Sequence, residues 1–133
     1  MIIHETKIKV RYAETDQMGV VHHSIYLTYL EIGRTELIRS MGITYREMEE
    51  KGVMLPVFEI CCKYLGPAKY DDELIIKTVM TKKPGIKIVF NYEIFNQNKI
   101  ICTASSVLAF ISAETKRPTQ PPDWFIKLFE NIS

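Results

Sequence analysis

The spacing of hydrophobic positions changes along the first third of the chain. Residues 2–12 alternate apolar with polar side chains and end with Tyr12 on the apolar side. This period of two predicts a strand with one buried face. A polar loop over residues 13–23 follows. Apolar residues then recur every three or four positions, which predicts an amphipathic helix.

Both ends of the predicted helix are marked in the sequence. Ser24 is expected to cap its start, because a serine side chain accepts a hydrogen bond from the first turn. We expect the helix to end near Ser40 and Gly42 to close it. Its apolar stripe consists of Tyr26, Leu30, Gly33, Leu37 and Met41. The glycine in this stripe predicts that another element packs closely against the helix.

Strands dominate the rest of the pattern. A short helix over 44–51 is expected to open with a capping box formed by Thr44 and Glu47. Strand-like runs cover residues 53–65, 73–82, 86–95 and 100–111, and a terminal helix covers 123–130. Pro56 in the first run predicts a bulge or an edge strand. The small residues at 103–106 are expected to leave room for the long helix to lie across the sheet.

This order of elements predicts the α+β class. One strand, one long helix and four consecutive strands favour an antiparallel sheet of about five strands wrapped around a central helix. We expect all 133 residues, 1–133, to form a single domain. An exposed edge of such a sheet would favour pairing with a second copy of the chain.

Composition narrows the choice of partners. The chain carries 17 basic and 16 acidic residues, a net charge of +1, which provides no general attraction for nucleic acid or an anionic membrane. No apolar run approaches the ~20 residues that span a bilayer, and the start does not resemble a signal peptide. We therefore expect a cytoplasmic protein with no nucleic-acid partner. Its 3 cysteines are expected to be reduced core thiols, and no metal site is expected.

The loop before the long helix contains the candidate chemistry. Asp16 lies ahead of Gly19, whose turn leads towards the helix start. A helix start presents free N–H groups and the positive end of the helix dipole. A nearby carboxylate can attack a carbonyl, or activate water to do so, while those N–H groups polarise the oxygen. This favours acyl transfer, but an aspartate that only organises the turn remains open.

Two separated blocks of the sequence resemble a known family. Residues 10–42 read VRYAETDQMGVVHHSIYLTYLEIGRTELIRSMG, and residues 64–72 read YLGPAKYDD. Together they resemble the hotdog-fold acyl-CoA thioesterases of the 4-hydroxybenzoyl-CoA thioesterase family, including the Tol-Pal-cluster type. The departures are His22 in place of tyrosine, Ser24 in place of Ala, Asn or Pro, and Lys69 in place of arginine.

The resemblance implies a hotdog fold and the hydrolysis of acyl-CoA to a carboxylic acid and free coenzyme A. Asp16 would be the catalytic carboxylate, acting as a nucleophile or as a general base. The backbone N–H of His23 would donate to the thioester oxygen, and its side chain is a candidate for orienting substrate or water. The expected substrate-binding residues are Gly19, Val20, Val21, His22, Ser24 and Tyr26.

The resemblance also implies partners. Basic residues would bind the phosphates of coenzyme A, and Lys69, Lys116 and Arg117 are the candidates. Coenzyme A is part of the substrate, so no separate cofactor is implied. A homo-oligomer is implied, either a dimer or a dimer of dimers (a homotetramer), with the pocket at the subunit boundary. An acyl carrier protein is a further candidate partner.

Two other functions remain open from the sequence. One is a hydratase or dehydratase acting on thioester-bound acyl chains, within the same fold. The other is a non-catalytic module that binds an acyl thioester or an acyl carrier protein. If Asp16 is dispensable, Glu36 on the long helix is the next candidate acid. The sequence does not identify the acyl group.

Overall fold

The computed structural model describes residues 1–130. Its strands are β1 (Ile2–Lys9), β2 (Val53–Met54), β3 (Val57–Tyr64), β4 (Glu73–Met80), β5 (Lys87–Asn96), β6 (Lys99–Ala109) and β7 (Ile111–Ser112). The helices are α1 (Ile25–Ser40), α2 (Tyr45–Glu50) and α3 (Asp123–Ile126), and 3₁₀ turns cover Tyr12–Glu14 and Lys127–Phe129. The predicted order of strand, long helix and strands is confirmed.

Five strands form one antiparallel sheet in the order β1-β4-β5-β6-β3. The strands β2 and β7 form a separate pair. Helix α1 packs against β1, β4 and β5, on the face where every second residue of β4 and β5 is buried. This combination of one helix and an antiparallel sheet confirms the predicted α+β class.

Helix α1 approaches the sheet most closely at Gly33. A Cβ atom at this position would collide with the Thr78 side chain and lie 2.8 Å from Cγ2 of Ile76. Both of these residues belong to β4, so the predicted close contact at this glycine is confirmed. Gly42 follows the helix with φ +108°, the left-handed conformation that glycine adopts without strain.

Some local predictions were wrong. Tyr12 was expected on the buried side of the first strand, but β1 ends earlier and Tyr12 is 77% exposed. The run from Val53 is not one strand, because Pro56 separates β2 from β3. The small residues of β6 are not the main packing surface for the long helix, since α1 packs mainly against β1 and β4. Of the three cysteines, only Cys102 is buried.

The two edges of the sheet differ in chemistry. Strand β3 forms one edge and leaves Val57 and Phe58 44% and 69% exposed, alongside the exposed charged residues Glu59 and Lys63. Strand β1 forms the other edge, and its exposed face carries Ile3, Glu5, Lys7 and Lys9. Within residues 1–130, no helix is long and apolar enough to cross a membrane.

Candidate active site

A closed turn holds the candidate acid. Its ends are joined by a bridge between Thr15 and Val21, and the Asp16 N–H donates to the Val20 carbonyl at 2.8 Å. Gly19 adopts φ +79°, and its N–H donates to the Asp16 carbonyl at 2.9 Å. The side-chain Oδ1 of Asp16 accepts a hydrogen bond from the Met18 N–H at 2.9 Å. Asp16 therefore organises its own turn, as the second interpretation of this residue proposed.

The second sequence block lies directly against this turn. Val20 forms a β-bridge with Lys69, and the Val21 N–H donates to the Ala68 carbonyl at 2.8 Å. Asp72 holds the second segment in place, because its Oδ2 accepts from the Lys69 N–H at 2.8 Å and from Asn96 Nδ2 at 2.9 Å. The two blocks that carry the resemblance are thus neighbours in space.

Ser24 occupies the cap position of α1, but its side chain does not cap the helix. Its Oγ lies 2.8 Å from His22 Nδ1, and the Ser24 N–H donates to the same nitrogen at 3.2 Å. The predicted side-chain cap is wrong because His22 competes for the serine.

His23 lies at the start of α1, and its N–H makes no hydrogen bond within residues 1–130. Its carbonyl accepts from Tyr64 Oη at 3.2 Å and from the Tyr26 N–H at 3.3 Å. The rings of Tyr64 and Tyr26 also pack edge to face with centroids 5.2 Å apart. Tyr64, at the end of β3, therefore holds the first peptide of the helix.

A cavity of about 390 Å³ opens at this helix start. Its lining includes four predicted residues and four that were not predicted: Val20, Val21, His23 and Tyr26, with Tyr64, Leu65, Gly66 and Pro67. Asp16, Gly19, His22 and Ser24 lie in the adjoining turn, outside this lining. The four residues that were not predicted belong to the YLGPAKYDD block. Within that block, only Lys69 had been predicted to contact the substrate, through the phosphates of coenzyme A.

A buried carboxylate anchors the base of the turn. Glu14 accepts hydrogen bonds from the Arg11 N–H at 2.8 Å, from Arg11 Nε at 3.1 Å and from Tyr29 Oη at 2.8 Å. Burial raises the pKa of Glu14, but these hydrogen bonds outweigh it and hold the pKa below its usual value. Burial, together with the bond to Glu14, raises the pKa of Tyr29. The bond from Tyr29 ties the turn to α1.

The three candidate phosphate contacts are not neighbours within one chain. Lys69 lies beside the turn, near the Tyr64 end of β3. Lys116 and Arg117 follow β7, and the Ser112 N–H donates to the Arg117 carbonyl at 3.0 Å. Tyr64 pairs with Cys102 and Val57 pairs with Leu108, so these ends of β6 are about 20 Å apart at ~3.3 Å per residue. Within residues 1–130, no three His, Cys, Asp or Glu side chains group as a metal site.

Known proteins resemble this chain along nearly its whole length. Residues 10–129 match the family described as the thioesterase-like superfamily. The Bacillus subtilis (strain 168) protein named "Putative acyl-CoA thioesterase YneP" is 39% identical over 129 residues, 93% of this chain and 94% of that protein. The chloroplastic acyl-acyl carrier protein thioesterase ATL3 of Arabidopsis thaliana is 35% identical over 101 residues, 74% of this chain and 53% of that protein.

A solved structure is also similar to this chain in fold. The DHNA-CoA thioesterase of Staphylococcus aureus superposes with a TM-score of 0.92 at 34% sequence identity. The superposition covers 99% of this chain and 91% of the other. The similarity therefore includes the sheet, the long helix and the turn between β1 and α1.

Proposed function

Because the chain belongs to the thioesterase-like superfamily, we propose that it uses Asp16 and the start of α1 to hydrolyse acyl-CoA. It is an acyl-CoA thioester hydrolase with the hotdog fold, and it releases a carboxylic acid and free coenzyme A. The observation that carries the assignment of the site is the free His23 N–H at a cavity next to the aspartate turn. The alternatives of a hydratase or a binding module gain no support from the relatives.

The start of α1 is suited to hold the thioester oxygen. The His23 N–H is free, and it lies at the positive end of the helix dipole. A donor in this position stabilises the negative charge that develops on the carbonyl oxygen during attack. Tyr64 keeps the peptide after His23 in place, so the donor is preorganised before substrate arrives.

Asp16 supplies the attack on the carbonyl carbon. Oδ1 is occupied by the Met18 N–H, and the second oxygen, Oδ2, makes no hydrogen bond within residues 1–130. As a nucleophile, Oδ2 forms a mixed anhydride while the C–S bond breaks and the thiolate takes up a proton; water then hydrolyses the anhydride. As a general base, Oδ2 takes the proton from a water that attacks directly. Both routes give the same products.

The decisive variant is Asp16→Asn. Asparagine retains an Oδ1 that accepts the Met18 N–H, so the turn is preserved and only the charge is lost. We expect thiol release from a panel of short, long and aromatic acyl-CoAs to fall about 10²-fold or more, with folding intact by circular dichroism. Full turnover in this variant would move the assignment to Glu36. Ligand binding without turnover by the wild type would favour the binding module.

We also propose that two chains pair through β3. This strand is a free edge with exposed apolar side chains at Val57 and Phe58, and unpaired edges of this kind favour association. A two-fold axis makes the paired strands antiparallel, so the Val57 end of one strand meets the Tyr64 end of the other. Two such pairs would form the homotetramer. Light scattering should give the mass of two or four chains, and an active single chain would contradict this.

This pairing would unite the phosphate contacts. The partner's β7 end, with its Lys116 and Arg117, would approach the Lys69 side of the first chain's cavity. Each coenzyme A would then be held by basic residues from two chains. An acyl carrier protein presents the same phosphopantetheine thioester, and we propose it as an alternative substrate, as the name of the Arabidopsis relative suggests. We expect the protein to bind acyl-CoA or an acyl carrier protein in the cytoplasm.

A further inference from the structure

Within residues 1–130, Arg34 on α1 is a buried charge without a salt-bridge partner. Only 5% of the residue is exposed, and its Nε and Nη1 atoms are buried without a hydrogen-bond partner in the described part of the chain. None of the salt bridges within residues 1–130 includes it. Glu14, the other buried charged residue there, accepts three hydrogen bonds. An unpaired buried charge is costly, so an anion from beyond residues 1–130 would stabilise the guanidinium.

Tyr45 on α2 provides a second unused donor beside Arg34. Its Oη is buried and has no partner within residues 1–130. Burial raises the pKa of Tyr45 to about 12, although the charge of the Arg34 guanidinium, which lies within hydrogen-bonding reach of Oη, opposes this rise. The hydroxyl therefore keeps its proton at neutral pH and can donate it. Tyr92 also lies within hydrogen-bonding reach of Arg34, and its Oη is bonded to Ser106 Oγ at 2.6 Å.

Arg34 and Tyr45 line two different cavities. A cleft of about 370 Å³ between α1 and β3 is lined by Leu27, Thr28, Glu31, Arg34, Val57 and Ile60, and Arg34 is the one buried residue among them. Tyr45 lines an apolar cavity of about 260 Å³ together with Met48, Glu49 and residues 53–56. The Glu31 carboxylate lines the same cleft as Arg34, but it is exposed to solvent and forms no salt bridge with the guanidinium.

The cleft lies in line with the candidate active site. Helix α1 runs from His23, beside Tyr64, towards Arg34, beside Val57. The cavity at the helix start and the cleft at Arg34 therefore both lie along the groove between α1 and β3. The backbones of residues 23 and 34 are eleven positions apart, which is about 16 Å along the helix axis at 1.5 Å per residue. An extended chain advances about 1.2 Å per bond, so roughly 13 bonds span this distance.

We propose that Arg34 and Tyr45 bind a carboxylate at the far end of an extended acyl chain, so that the preferred substrate is the monothioester of a long dicarboxylic acid. A carboxylate is the group that fits two free donors and one positive charge, because it is an anion and only accepts hydrogen bonds. A hydroxyl group would leave the guanidinium charge unbalanced. The proposal rests on the thioesterase function and specifies its substrate.

The test compares two substrates of equal length, dodecanedioyl-CoA and dodecanoyl-CoA. We expect the wild type to have a kcat/KM about 10-fold or more higher for the dicarboxylic substrate, and Arg34→Met to reduce this ratio to about one. Arg34→Lys should keep part of the preference, because it keeps the charge without the planar fork. Arg39→Met is the matched control, since Arg39 is an exposed arginine of the same helix, paired with Glu36 at 3.0 Å.

Calorimetry with free dodecanedioate and free dodecanoate measures the same preference without turnover. Tighter binding of the diacid by the wild type, lost in Arg34→Met, supports the carboxylate site. A substrate ratio near one in the wild type, or a ratio that Arg34→Met leaves unchanged, overturns it. The same holds if Arg34→Met changes only the oligomer mass. Absence of thiol release from every acyl-CoA would instead overturn the proposed function, and the calorimetry would still decide the carboxylate site.

Discussion

At the scale of single residues, the turn before α1 depends on a buried charge that is fully partnered. Glu14 lies behind the Asp16 turn and accepts from Arg11 and Tyr29. Sequence reasoning missed this residue, and also the burial of Arg34, because charged side chains are rarely buried and nothing local marks the exceptions. Their burial is determined by tertiary neighbours such as Tyr29, 15 residues away from Glu14.

Acidification should reveal the contribution of Glu14. Its pKa is lower in the folded chain than the ordinary value of about 4.3, so its stabilisation is present above that pH and is lost as the pH falls through the folded pKa. We expect the free energy of unfolding, measured with urea at pH 6 and pH 3.5, to fall further for the wild type than for Glu14→Gln. Glu114→Gln, at an exposed loop position, should follow the wild type.

At the scale of elements, the sequence pattern predicted what depends on local order. The stripe of α1, the capping box of α2 and the alternation in β5 each reflect a single period or a cap, and all three are present. The wrong predictions depend on contacts between residues that the local pattern does not show. Ser24 bonds to His22 instead of capping the helix, and the cavity lining at Tyr64 to Pro67 comes from a segment 41 residues after the helix start.

The contact between α1 and β4 gives a prediction at this scale. Gly33→Ala places a Cβ against Thr78 and Ile76, and overpacking of this kind costs about 1–3 kcal/mol. We expect the melting temperature to fall by several degrees in a thermal unfolding scan. Gly85→Ala is the control, because a Cβ there meets no heavy atom within 4 Å and φ is not in the left-handed region. Equal melting temperatures for the two variants would contradict the close packing.

At the scale of the whole molecule, the candidate site residues lie at opposite ends of the sheet. Lys69 and the cavity lie at the Tyr64 end of β3, whereas Lys116 and Arg117 follow β7, near the Val57 end. Sequence reasoning grouped these basic residues by type and could not measure their separation. Pairing through β3 is the arrangement that we propose to bring them together.

Mixing two defective variants tests this arrangement. Asp16→Asn removes the acid, and a Lys116→Glu, Arg117→Glu double variant is expected to raise KM for acyl-CoA with little effect on a pantetheine thioester. In a mixed pair, one site combines an intact Asp16 with the partner's intact basic residues. We therefore expect activity with a low KM to reappear after the chains are unfolded together and refolded. If KM stays high, the basic residues act within their own chain.

The chemistry of β1 limits what the free edge at β3 can build. Pairing through β3 uses one edge of each sheet and leaves β1 at both outer margins, where three of the four exposed side chains, Glu5, Lys7 and Lys9, are charged and the fourth is Ile3. Charged residues, lysine above all, discourage a further strand from adding to such an edge. Growth by strand addition therefore stops at two sheets, and a concentrated solution of this protein should hold discrete particles and no fibrils.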